Sequence, residues 1–242
     1  MVDDRIAVKT LLHKLLVGAK QIMDSVDYWE DRLIDDESGL VAETFLDQLH
    51  EEWFESGPVN ALCEQVETQA RERVSAWHPG WPHLWAHIQR VTGVAIALAE
   101  DDGLDPVLAY LVGICHDVAK LDETIANESH EELGALFAGR VLRGHLPNDE
   151  IRAIQHAILK EGNGRLADIL HDADKLDKIG ACGLVRRIST DTHPGWLSTA
   201  LDRVEDDWDR FPSMRFDLSR DLVASKSAFL EWFLPQAQQA IR

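Results

Sequence analysis

Residues 108–120, LAYLVGICHDVAK, decide how this chain is read. Leu108, Leu111, Val112, Ile114, Cys115 and Val118 leave almost no polar face, so the stretch predicts a central, buried helix. Asp105 as N-cap and Pro106 at the first helical position mark its start. Near its end the same stretch carries His116, Asp117 and Lys120. Burying such groups costs several kcal/mol unless they are paired or bound to metal, so the rest of the sequence must supply partners.

The 242-residue length suits one large domain, or a core with extensions, and suffices to bury a substantial interior. A net charge of -19 argues against a nucleic-acid polymer or an anionic membrane as partner, because each calls for a basic face. An anionic small molecule stays compatible, since a metal ion or a few basic side chains can dominate one pocket. Cys63, Cys115 and Cys182 are widely spaced and form no CxxC, which predicts inert thiols in a reducing, cytoplasmic setting. The opening MVDDRIAVKTLLHKLL places acids before its apolar residues and predicts no signal peptide. No apolar run reaches the length of a membrane span.

Apolar residues recur at helical spacing through Ile6–Val17, Asp27–Leu33, Val41–Phe54 and Val59–Ala76, and nowhere do β-branched residues alternate. The expected class is all-α: a helical extension over residues 1–80, a core over 81–190 and a C-terminal helical extension over 191–242. The long N-terminal helices could also form a homodimer contact. Helices are expected at Leu84–Glu100, Glu150–Lys160, Leu166–Lys178 and Phe229–Leu234, with another opening at His130. There Ser129 is the N-cap and Glu132 completes a capping box.

A lone histidine on a helix face is more often a core or solvated residue than a ligand. The combination carries more weight, because five helices each contribute: His87, the His116–Asp117 pair, His130, His156 and an acid within Asp172–Asp177. Four imidazoles with two carboxylates suit a divalent transition metal (Fe, Mn, Zn, Ni or Co) rather than calcium or a thiolate metal. His156 is expected on the side of Ile151, Ala153 and Ile154 or just beside it. Glu131 and Glu132 read most simply as capping and dipole groups.

The order AHIQRV, ICHDVAK, SHEELGA, IQHAI, HDADKLD resembles the HD-domain metal-dependent phosphohydrolase superfamily, over about Trp85 to Arg187. The resemblance implies an all-helical core in which His87, His116, Asp117 and Asp174 hold a first metal ion. His130 and His156 match the added histidines of two-metal members, with Asp117 bridging both ions. Asp174 is preferred to Asp172 because Ala173-Asp174-Lys175-Leu176-Asp177 fits the family's Ala-Asp-x-x-Asp pattern. Such a centre, holding one or two ions, activates water for attack at phosphorus. Lys120 and Arg90 are the nearest cations by sequence for the phosphoryl charge; for each a salt bridge to an acid such as Asp177 competes with that role, and for Arg90 the family's H-x-x-R-V pattern favours the active site. Asp177 could orient a ligand, receive a proton or form a surface ion pair.

These readings lead to a phosphoric ester or anhydride hydrolase acting on a nucleotide or another small phosphorylated compound. Two others stand beside it. The same ligands resemble those of HD-like di-iron oxygenases, and a ligand sensor would use the metal structurally. Specificity is expected from Trp77, Trp81 and Trp85, from the Glu123–Ser129 loop and from the C-terminal third.

Overall fold

The structure, a computed structural model, describes residues 58–77, 82–120, 128–160, 164–180, 183, 196–208 and 213–240. The helices proposed before residue 55, Trp81 and most of the Glu123–Ser129 loop lie outside the described residues. The protein is all-α, and no strand occurs among the described residues. In chain order the helices are α1 (Pro58–Trp77), α2 (Pro82–Asp102), α3 (Pro106–Cys115) and α4 (His130–Val141). They continue with α5 (Asn148–Ile158), α6 (Arg165–Leu176), α7 (Trp196–Trp208) and α8 (Asp217–Ala240).

α3 is the hub, packing against α1, α2, α4, α5 and α6. Every residue from Ala109 to Cys115 is buried, as an apolar circumference requires. The Asp105 carboxylate accepts a hydrogen bond from the Val107 amide at 2.9 Å, and Pro106 follows it at a position whose missing N–H costs nothing. Leu111 and Ile114 of α3 share one core with Ile88 and Val91 of α2, Val66 of α1, Ile154 of α5 and Ile169 of α6.

Two glycines set how closely this core closes. A Cβ on Gly113 would lie 2.8 Å from the Thr92 Cα of α2, and one on Gly134 would lie 2.9 Å from the His116 carbonyl oxygen. The missing side chains let α2 and α4 meet α3 backbone to backbone.

Several boundaries differ from the expected ones. α3 ends at Cys115, and residues 116–120 form a turn closed by the Lys120 amide on the Asp117 carbonyl at 3.0 Å. The polar groups thus sit where a helix runs out of internal partners. The capping box of α4 forms as expected, with Ser129 Oγ accepting from the Glu132 amide at 3.1 Å and Glu132 Oε2 from the Ser129 amide at 2.8 Å. α5 stops two residues early because Lys160 turns into left-handed backbone at φ 57°. α8 runs far longer than Phe229–Leu234, tolerating Pro235 in its last turns.

Candidate metal centre and its cavity

His87 projects from the second turn of α2, and His116 and Asp117 from the turn after α3. Ligand atoms of these three buried residues lie within 4.8 Å of one another. His87 Nε2 is 3.4 Å from Asp117 Oδ2 and 3.5 Å from Asp174 Oδ1, which α6 contributes. His116 Nε2 is 3.7 Å from the same Asp117 oxygen. The two imidazoles meet edge to face, centroids 5.4 Å apart.

The outward ring nitrogens fix these orientations. His116 Nδ1 lies 2.6 Å from the Gly113 carbonyl, which can only accept, so Nδ1 carries the proton and Nε2 presents a lone pair. His87 Nδ1 lies 2.6 Å from Asp177 Oδ2, and Arg90 holds Asp177 through two bonds of 2.5 and 3.2 Å. A carboxylate or carbonyl behind each imidazole is the arrangement that orients metal-binding histidines. His116 Nε2 is buried and makes no hydrogen bond among the described residues. Two directed lone pairs beside the Asp117 carboxylate, with Asp174 reaching His87 Nε2, fit a divalent ion.

The electrostatics agree. Burial pushes the Asp174 carboxyl up, but the Lys178 ammonium and the two imidazoles more than offset it and hold it at about 2. Asp117 and Asp177 likewise lie well below the usual carboxylate range: burial raises both, while His116, His87 and Lys120 lower the first and His87 and Arg90 the second. Burial drives the His116 imidazole below its usual 6.5, with Asp117 opposing in part. The folded chain therefore keeps His116 neutral where the unfolded chain would protonate it. That stability is complete above pH 6.5 and is lost as the pH falls toward the lower folded value. Calorimetry of metal-free protein should show a melting temperature that declines below pH 6.5, and declines less steeply in His116→Asn.

Beside this cluster opens a cavity of about 300 Å³. Lys120 reaches into it, its ammonium 3.2 Å from Asp117 Oδ2 and 2.9 Å from His130 Nε2. His130 Nδ1 in turn faces Glu131 Oε2 at 3.1 Å, and Lys160 donates to Glu131 Oε1 at 2.7 Å. With its proton on Nδ1, His130 accepts from Lys120 and holds that cation over Asp117. Lys120 pairs with Asp117 and not with Asp177.

The other site candidates separate clearly. Arg90 does not line the cavity; it grips Asp177 behind His87 and acts through it. Asp177, expected either to orient a ligand or to form a surface pair, orients His87. His156 is exposed, as is Ala153 one turn before it, and it does not line the cavity. Ile151, Ile154, Ala157 and Ile158 take the inward face, and residue 156 stands about 200° round the helix from Ile154. Trp85, expected near substrate, packs on the core beneath Arg71, whose guanidinium is 5.5 Å from its ring. Asp172 turns away from the cluster, both oxygens engaged elsewhere. Lys160, Lys178, His171 and Arg215 line the cavity although no sequence pattern assigned them chemistry. Only the place of His171, beside Asp172, offered a hint. Cys63 and Cys115 are buried free thiols, and burial lifts the first to about 12, which makes it unreactive.

Comparison with known proteins supports this picture. Residues 84–179 match the model of the HD domain. No curated protein matches the sequence. The fold resembles Bacillus subtilis YpgQ solved in complex with ADP, at 19% identity over 75% of this chain and 96% of that one, with a TM-score of 0.58. It is similar to an HD-superfamily hydrolase from Bacillus thuringiensis, at 20% identity over 75% of this chain and 97% of that one, TM-score 0.58. A Lactobacillus plantarum protein gives 20% identity, 74% and 96% coverage and TM-score 0.58. HD domains bind divalent metals, and the His87, His116 and Asp117 cluster lies within the matched span. The chain therefore carries an HD domain at residues 84–179.

Proposed function

We propose that this protein is a metal-dependent hydrolase of phosphoric esters or anhydrides, with a nucleotide or a similar small organic phosphate as substrate. The observation that carries it is the cluster of His87, His116 and Asp117, both imidazoles fixed from behind so that Nε2 faces inward, with Asp174 Oδ1 3.5 Å from His87 Nε2. These four residues would hold one divalent ion. Bound there, the ion supplies Lewis acidity toward a phosphoryl oxygen and activates water.

The remaining work belongs to the chain's own cations. Lys120, fixed between Asp117 and His130, sets a positive charge beside the cluster where phosphoryl charge must be met. Lys160, Lys175, Lys178 and Arg215 also line the cavity, so among the described residues its five cations outnumber its three acids, Asp117, Glu131 and Asp174, within a chain of net charge -19. Such a local excess favours an anion at this one place. That YpgQ, a protein of similar fold, was solved in complex with ADP supports a nucleotide as ligand.

A one-ion centre accords better with the site than two. His156 is exposed, and Lys120 lies within hydrogen-bonding distance of the other histidine assigned to a second ion, His130. The same observations disfavour a di-iron oxygenase, which needs the second set of ligands. The test is phosphate or pyrophosphate release from a panel of nucleotides and phosphomonoesters, with metal analysis of the same sample. Turnover lost in EDTA and restored by Mn²⁺, at one ion per chain, is the expected result. No turnover of any panel member by metal-loaded protein, or oxygen consumption by the iron-loaded form, would refute the reading.

A further inference from the structure

The cavity lining is of two kinds: the acids, histidines and cations around the cluster, and the apolar side chains of Ala157, Ile158, Ala167, Leu170, Ile179 and Met214. Phosphoryl oxygens against the apolar residues would lose water without gaining partners, so a purely inorganic phosphate leaves them unused. A ligand with an apolar body and a phosphoryl end meets both kinds.

Met214 comes from outside residues 84–179, in the short segment before α8. Asp172, fully buried, brings that segment to the cavity. Its Oδ2 accepts from the backbone amides of Arg215 at 2.8 Å and Phe216 at 3.0 Å, and its Oδ1 lies 2.9 Å from His171 Nδ1. Around this carboxylate Lys175 meets Ser213, Arg215 meets Asp168, and the Arg165 guanidinium lies 4.7 Å from the Phe216 ring. Asp172 precedes Asp174 by two residues, about 200° around α6, so one acid faces the metal cluster and the other the C-terminal segment.

We propose that Met214 and Arg215 form the recognition wall for the organic part of the substrate, and that Asp172 is the positioning residue that holds this wall in place. The proposal rests on the hydrolase reading above only for the phosphoryl end of the ligand. Met214 supplies apolar contact to the body of the molecule, and Arg215 stands beside it on the wall.

The full-length, Mn²⁺-loaded protein tests this with Asp172→Ala, Asp172→Asn and Met214→Ala. Calorimetry would measure Mn²⁺, ADP and pyrophosphate binding, and hydrogen exchange would follow the amides of residues 215 and 216. In Asp172→Ala these amides should exchange faster, Mn²⁺ affinity should stay within about threefold, and ADP should weaken by about tenfold while pyrophosphate does not. Asp172→Asn keeps a carbonyl acceptor and should recover much of the protection. Met214→Ala should weaken ADP alike with exchange unchanged, which keeps the test open if the Asp172 variants fail to fold. Loss of Mn²⁺ binding in Asp172→Asn, equal weakening of ADP and pyrophosphate, or a wild type that binds ADP no better than pyrophosphate would overturn the proposal. A wild type that prefers ADP yet hydrolyses nothing would sink the hydrolase reading alone.

Discussion

Asp117→Ala is expected to lower Mn²⁺ affinity by at least about a hundredfold and metal-dependent turnover by about a thousandfold or more. Loss of a residue that merely orients a ligand already costs about 10–100-fold in affinity, and Asp117 faces the site directly. Its Oδ2 is the atom that both imidazole Nε2 atoms approach, at 3.4 and 3.7 Å, and its carboxylate also holds Lys120. One substitution thus removes a ligand and releases the nearest cation. Isothermal calorimetry with Mn²⁺ and a phosphate-release assay would read the two losses, and a retained helical circular dichroism spectrum would show that the fold survives. Near-normal affinity in the variant would remove Asp117 from the metal site.

The second large effect concerns packing. Gly113→Ala at an exposed helical position would add stability through helix propensity, by about 1 kcal/mol. Here the new methyl meets Thr92 Cα at 2.8 Å and Thr92 Oγ1 at 2.7 Å, deep between α2 and α3. Overpacking of this kind costs about 1–3 kcal/mol, which for a chain of this size lowers the melting temperature by roughly 2–12 °C. Trimming Thr92 to serine should give little rescue, because the closest backbone atom remains. Metal affinity should fall as well, since the Gly113 carbonyl holds His116 Nδ1 at 2.6 Å. Scanning calorimetry would decide it; an unchanged or raised melting temperature would mean that the helices separate freely.

The sequence made the central helix legible because an apolar circumference has one stable location, the interior. Local signals held too: Ser129 and Glu132 cap α4, and Asp105 with Pro106 opens α3, since these devices act within a few residues of chain. The phase of short helices is harder to read. α5 has only about three turns, and the inward face set by Ile151, Ile154 and Ile158 turns His156 outward. For Arg90 the spacing left a site role and a salt bridge side by side, and only the fold shows its side chain on Asp177, 87 residues onward. The cations that complete the cavity come from separate elements, and no spacing along the chain encodes their meeting. The choice between Asp172 and Asp174 needed the C-terminal segment, because only its amides show what the first acid does.

The bonds that Asp172 accepts bear on modularity. The HD domain ends at residue 179, yet a carboxylate buried within it is satisfied by backbone from residues 215 and 216, and the Leu176 carbonyl accepts from Lys226 at 3.0 Å. A fragment cut at residue 179 would leave the Asp172 charge without those amides and strip the cover from the last turn of α6, the helix that carries Asp174. The stretch that defines the family is thus not a portable part: its last helix borrows its finish from residues well beyond its own border.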